Sequence, residues 1–160
     1  MANTVRRSLD QDAADLIGVD RFPSPGDRFD LEVAKLLLSR GVLSLTGLAT
    51  AMRQRAERAS SLAQAIIATG LPQADYYRAV ADCYGLRYVD LEREPVDPAL
   101  TTGNDRADYA DRLMVPWQSR DGRLLIATTA ISRENVEWAD ARFGETGYDF
   151  VITVPFDIRW

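Results

Sequence analysis

Two aspartates one residue apart, Asp10-Gln11-Asp12, have the spacing with which paired carboxylates hold a divalent metal against the diphosphate of a nucleotide sugar. They fall in a polar stretch with no preceding strand to fix them. Metal ligands have to be held by rigid elements, so a solvated acidic segment is the simpler reading. Asp90 with Glu92 and Asp108 with Asp111 are the other close pairs. Two positioned carboxyls could act as a glycosidase acid and base, but nothing around these four makes them converge on one cleft. There is no histidine, which excludes histidine-based triads and removes the commonest metal ligand. Cys83 is the single cysteine, so neither an internal disulfide nor a multi-cysteine metal cluster can form, and a reducing compartment fits best. Its neighbours Val80, Ala81 and Tyr84 make it a buried, inert thiol rather than a nucleophile. Neither G-x-x-x-x-G-K-[ST] nor a strand-linked G-x-G-x-x-G occurs. Trp117, Trp138 and Trp160 could stack on sugars or bases, but each reads more simply as packing: at a strand end, along a helix face, and in the last few residues. No catalytic residue, metal ligand or cofactor is expected.

Charge narrows the partners. With 24 acidic against 19 basic side chains the net charge is −5, which gives no cationic excess to neutralise phosphates, so general nucleic-acid binding is excluded. One basic run stands out, in which Lys35, Arg40, Arg53, Arg55 and Arg58 face only Glu32 and Glu57. It reads as a solvated helix surface, with an anionic partner as the alternative. No apolar stretch approaches the roughly 20 residues of a membrane span. Arg6-Arg7 is followed by Ser8-Leu9-Asp10-Gln11-Asp12 rather than by the apolar run of a secretory signal. A cytoplasmic polypeptide without a membrane span is expected.

The elements that would position these groups follow from hydrophobic periodicity. Residues 1–28 are polar and acidic, broken by Pro23, Pro25 and Gly26, and read as a flexible tail with one apolar cluster, Leu16-Ile17-Gly18-Val19. Over 29–84 two helix–Gly–helix units appear. In the first, Val33, Leu36 and Leu37 recur at helical spacing up to Gly41; Ser44 then caps a helix whose apolar face is Leu45, Leu48, Ala49, Met52 and Ala56. In the second, Leu62, Ala65 and Ile66 lead to Gly70, and Pro72 opens a helix carrying Tyr76, Tyr77, Val80 and Ala81. An offset of about 29 residues superposes Val33 on Leu62, Leu37 on Ile66 and Gly41 on Gly70. Such a unit cannot bury its own stripe, so the two copies are expected to pack on each other.

Residues 85–108 read as a strand, Leu86 to Leu91, and a connector with one helical turn at Asp97-Pro98-Ala99-Leu100. Residues 109–160 read as strand, turn, strand, helix, strand. Asp121-Gly122 makes the hairpin, Ser132 caps the helix, Gly144 stops it, and Phe150–Val154 is expected in the middle of the sheet. Pro155 to Trp160 reads as a helix starting, with Asp157 placed to cap it, and suggests that a longer polypeptide continues it. The fold class is α+β: a helical subdomain of two helix–Gly–helix repeats followed by a small β-β-α-β sheet subdomain.

Tyr84-Gly85-Leu86-Arg87-Tyr88-Val89-Asp90-Leu91, followed by Pro95-Val96-Asp97-Pro98-Ala99-Leu100, resembles a signature of the amino-terminal domain of type II secretion and type IV pilus assembly ATPases. Leu62-Ala63 through Ile66 to Gly70 resembles that family's L-G-x-x-L-x-x-x-G element with alanine replacing the glycine. Val115-Pro116, Asp121-Gly122 and Leu125-Ile126-Ala127 extend the likeness over about residues 31–155. The helix Glu137 to Gly144 and the closing Tyr148 to Ile158 look like the version attached to bacterial family-2 glycosyltransferases that make exopolysaccharides or β-glucans at the inner membrane. Thr128-Thr129-Ala130-Ile131 stands where the ATPase version has an Asp-Pro.

The resemblance implies a non-catalytic regulatory or interaction domain, whose partner is its own catalytic domain or another protein. Some relatives bind cyclic di-GMP through tandem R-L-G-x-x-L-x-x-x-G motifs, which implies cyclic di-GMP as an alternative partner, with Leu37, Gly41, Ile66 and Gly70 as the surviving motif positions. Glu32-Val33-Ala34 and Ser61-Leu62-Ala63 occupy the two R-L-G positions. A carboxylate there repels a dianion, and a methyl at the glycine position opposes close approach. Docking in a secretion ATPase is the third function implied.

Overall fold

The computed structural model describes residues 22–101 and 106–158. Asp10-Gln11-Asp12, the Leu16–Val19 cluster and Trp160 lie outside the described residues. The helical half comprises α1 (Asp27–Ser39), α2 (Leu45–Arg58), α3 (Leu62–Ala68) and α4 (Gln73–Tyr84). A 3-10 turn, Pro98–Thr101, leads to α5 (Arg106–Arg112), β1 (Met114–Arg120), β2 (Arg123–Thr128), α6 (Arg133–Phe143), β3 (Tyr148–Ile152) and α7 (Pro155–Ile158). This is the expected mixture of helical repeat and small sheet.

Local chemistry accounts for the helix ends. Gly41, at φ +70°, closes α1: the Val42 N–H reaches the Leu37 carbonyl and the Gly41 N–H that of Leu38. This is the double bond pattern with which a left-handed residue satisfies the last carbonyls of a helix. Gly85, at φ +68°, does the same for α4 through Leu86 to Ala81 and Gly85 to Asp82. Ser44 caps α2 by accepting from Gly47 N–H, and Ser132 caps α6 by accepting from Asn135 N–H. The repeats do pack on each other: the main helix contacts are α2 with α3, α1 with α4, and α1 with α3, all between copies.

The sheet has the order β1-β2-β3, antiparallel then parallel, with α6 as the crossover. Asp121 and Gly122 both have positive φ, as a tight two-residue hairpin requires. Side chains alternate between the two faces. Leu124, Ile126, Phe150 and Ile152 join a core shared with Val33, Leu37, Ile66, Tyr76 and Tyr84 of the helices. Leu125, Ala127, Val151, Val115 and Trp117 face a second core with Val89, Leu91 and Ile158. A bulge between Pro116 and Gln118 shifts the register of β1 against β2 by one residue.

Several expectations from sequence change here. Helix starts inside the supposed tail, at Asp27, and Phe22 packs edge-on against Tyr84 and Phe150 at 5.9 and 6.2 Å. The strand at 86–91 contracts to one parallel bridge, Tyr88 with Ile152. α5 lies partly inside the stretch read as connector. The middle strand is β2 rather than β3, because β1 returns by the hairpin to the opposite side of β2. α6 does end at Phe143 with Gly144 as its C-cap, but Gly144 keeps right-handed φ −57° and the positive φ falls at Gly147. Asp157 lies inside α7 rather than ahead of it; buried, it accepts from Leu91 N–H at 3.2 Å and from the Thr153 hydroxyl at 3.5 Å.

Candidate functional site

The four residues that survive from the dinucleotide-binding pattern divide into two kinds. Leu37 and Ile66 are 1% and 0% exposed, inside the main core. Their side chains hold the repeats together, and their carbonyls serve the helix ends: Leu37 O accepts from Val42 N–H, and Ile66 O accepts from Thr69 N–H and the Thr69 hydroxyl. Gly41 and Gly70 are exposed, at φ +70° and +100°, with open space where a Cβ would stand. Backbone geometry alone therefore accounts for both glycines.

The two positions that hold R-L-G in relatives are also occupied structurally. Glu32 is exposed and paired with Lys35 at 2.8 Å, followed by fully buried Val33 and Ala34. Ser61 accepts from Gln64 N–H at 3.1 Å while the Gln64 side chain accepts from Ser61 N–H, a reciprocal cap on α3. The Ala63 N–H donates to the Asp30 carboxylate at 3.4 Å. An anionic ligand approaching that backbone would meet a carboxylate already there.

Asp30 is the centre of a polar junction. Its other oxygen accepts from the Tyr76 hydroxyl at 3.4 Å, so one carboxyl on α1 reaches α3 and α4, and the neighbouring Asp27 pairs with Arg55 of α2. Loss of hydration raises the Asp30 pKa, against the opposing pull of its bonds from Ala63 and Tyr76. Burial likewise pushes the Tyr76 hydroxyl up. Sequence periodicity does not disclose this junction; the one local signal is a carboxylate lying between the buried Phe29 and Val33.

The other candidates are similarly engaged. Burial, and then the neighbouring Asp82 carboxylate, push the Cys83 thiol up, which disfavours the nucleophilic thiolate. Asp90 accepts from Glu92 N–H at 3.1 Å and pairs with Arg93; Asp108 pairs with Arg112 at 3.1 Å. Among the described residues no group of three His, Cys, Asp or Glu is placed to hold a metal, and no helix is long and apolar enough to cross a membrane. Trp117 is buried in the middle of β1 and donates to Glu94 O at 2.8 Å. The Trp138 ring has the guanidinium carbons of Arg112 and Arg142 each 5.3 Å from its centroid. An open cleft of about 1020 Å³ lies beside α1, lined by Phe29, Leu36 and Cys83 together with the charged Asp27, Arg28, Glu32 and Lys35.

What remains unabsorbed is the outer surface of α2. Of the face expected to be buried, Leu45 is 76% and Met52 53% exposed, Ala49 and Ala56 are exposed, and Leu48 is half-buried; the buried residue of α2 is Ala51. The basic run resolves into pairs, Lys35 with Glu32, Arg40 with Asp82 and Arg55 with Asp27, which leaves Arg53 and Arg58 without an ion-pair partner among the described residues.

The family model of the MshEN domain matches residues 84–160. The fold is similar to that in the structure of MshE with cdg, at 18% identity and TM-score 0.61, covering 79% of this chain and 92% of that one. It is also similar to the N-terminal domain of XpsE, at 20% identity and TM-score 0.60, covering 86% of this chain and 98% of that one. No curated protein matches significantly.

Proposed function

We propose that this chain is a non-catalytic regulatory and interaction domain, cytoplasmic, that presents its helical repeat to a protein partner or to a catalytic domain of the same polypeptide. Its setting in this reading is a bacterial glycosyltransferase of polysaccharide synthesis at the inner membrane. One observation carries the functional reading. Among the described residues Asp30, Asp90, Asp108 and Trp117 are engaged in bonds within the fold, while α2 turns an apolar face to solvent. Likeness in fold to the N-terminal domain of XpsE supports a modular role, and the sequence signatures at Glu137–Gly144 and Tyr148–Ile158 support the glycosyltransferase setting over the secretion ATPase one.

The cyclic di-GMP sensor is the second reading, favoured by likeness in fold to MshE with cdg. Glu32, the buried Ala34, the capping role of Ser61 and the bond from Ala63 to Asp30 all oppose it. Calorimetric titration of the chain with cyclic di-GMP, and incubation with radiolabelled nucleotide sugars, test the proposal. No saturable heat and no sugar transfer are expected. A dissociation constant below about 1 mM that Gly41→Glu abolishes would establish the sensor instead. Glycosyl transfer by the chain alone would overturn a non-catalytic role. Polypeptide continuous with this chain in its gene distinguishes the parents: membrane helices with D-x-D carboxylates for a transferase, a phosphate loop for an ATPase.

A further inference from the structure

We infer that the outward face of α2 docks an acidic amphipathic helix of a protein partner, an inference that rests on the interaction role just proposed. Leu45, Ala49, Met52 and Ala56 follow one another at intervals of four, three and four residues, so they lie in one stripe about 16 Å long. Val42, 42% exposed, extends it beyond the helix start. The core side of the helix, marked by Ala51, points elsewhere. At the far end Met52, Arg55, Ala56, Ala59 and Ser60 line an open depression of about 460 Å³ whose wall is more polar than apolar.

Shape and charge select the occupant. Leucine and methionine alternate with alanine, which offers knobs and holes to a second helix. Arg53 borders the stripe on one side and Arg55 on the other, and Arg53 has no ion-pair partner among the described residues. Glu57 is the only carboxylate on α2. Arg55 is already paired with Asp27, so a partner helix with an apolar seam and carboxylates along the Arg53 flank matches this pattern. A lipid surface matches it less well. α2 carries arginine and leucine but no aromatic anchor for a headgroup layer, two of its stripe positions are alanine, and the net charge of −5 opposes approach to an anionic bilayer. A second copy is also disfavoured, because two antiparallel α2 helices centred on the stripe would bring the two Arg53 side chains to the same edge, about 8 Å apart along the axis.

The test uses the full chain and a fluorescently labelled synthetic helix of three heptads, with leucine at a and d and glutamate at e and g. The controls are the same helix with lysine at e and g, and phosphatidylglycerol vesicles. Fluorescence anisotropy is expected to saturate with the glutamate helix and to show at least about tenfold weaker binding of the lysine helix. Leu45→Glu and Met52→Glu should each weaken binding about tenfold or more, and Arg53→Glu should narrow the preference between the two helices. Arg120→Glu, at an exposed site on the hairpin, should change nothing. All these positions are exposed, so unchanged circular dichroism verifies that each variant is folded. Equal binding of the two helices, indifference to Leu45→Glu, preference for the vesicles, or dimerisation through this face in sedimentation overturns the assignment. The interaction role itself is judged separately, by sugar transfer and by the cyclic di-GMP titration.

Discussion

Asp30 sits where one carboxyl meets an amide of α3, a hydroxyl of α4 and the field of Arg55 from α2. Because burial raises its pKa, the folded chain holds that proton more tightly than the unfolded chain does. The sign follows from linkage: the stabilisation from this group is complete below its unfolded pKa and disappears as pH rises through the folded value. Asp30→Asn is neutral at every pH, and its amide can still accept from Ala63 N–H while donating to the Tyr76 hydroxyl. Melting temperatures of the two proteins should therefore converge or cross as pH rises from about 4 to about 7, with the native carboxyl gaining ground on the acid side. A gap independent of pH would mean that Asp30 titrates as it does in the unfolded chain. This junction is hard to find from sequence because Ala63 and Tyr76 lie 33 and 46 residues from Asp30. Leu37 and Ile66 were legible as periodic apolar positions, but periodicity does not distinguish a core side chain from one that meets a ligand.

Elements were legible where one residue decides a conformation. Ser44 and Ser132 cap helices, Gly41 and Gly85 end them, and Asp121-Gly122 turns the hairpin. They were misread where long-range packing decides. The alternation of Leu86, Tyr88, Val89 and Leu91 is real, with Val89 and Leu91 both in the second core. Yet only Arg87 and Val89 exchange backbone bonds with Ile152, and the backbone at Leu91 turns to a side chain, Asp157. That carboxylate stands in for a ladder partner at a residue only 6% exposed. Removing it in Asp157→Ala strands a buried N–H, with an expected cost of about 1–3 kcal/mol. Asp157→Asn keeps an acceptor and should cost much less. Denaturant unfolding measures both, and amide exchange at Leu91 should accelerate in the alanine variant; similar stabilities for the two variants would mean that the bond from Leu91 contributes little. α2 misleads for a related reason: its stripe has helical period, but period does not tell a core from a solvent-facing docking surface.

At the scale of the whole molecule, Tyr84 joins the halves. Its ring stacks on Phe29 of α1 at 4.5 Å and meets Phe22 edge-on, and Phe22 in turn contacts Phe150 of β3. Its hydroxyl accepts from the buried Ile131 N–H at 3.2 Å, at the entrance to α6. The helical repeat and one face of the sheet thus share a single apolar interior, and neither can open without exposing the other. Two probes report the halves separately. Trp117 lies in β1 and Trp138 in α6, so their fluorescence reports on the sheet side. Far-ultraviolet circular dichroism at the helix minimum weights α1 to α4 most heavily, because they are most of the helix. The two unfolding curves in urea should coincide, with one midpoint. Tyr84→Ala leaves a cavity and an unpaired N–H, and should shift both curves down together by about 3–5 kcal/mol. Separated midpoints in the native chain, or a Tyr84→Ala effect confined to one probe, would mean two independent cores, and the helical repeat would then have to present its outward face without support from the sheet.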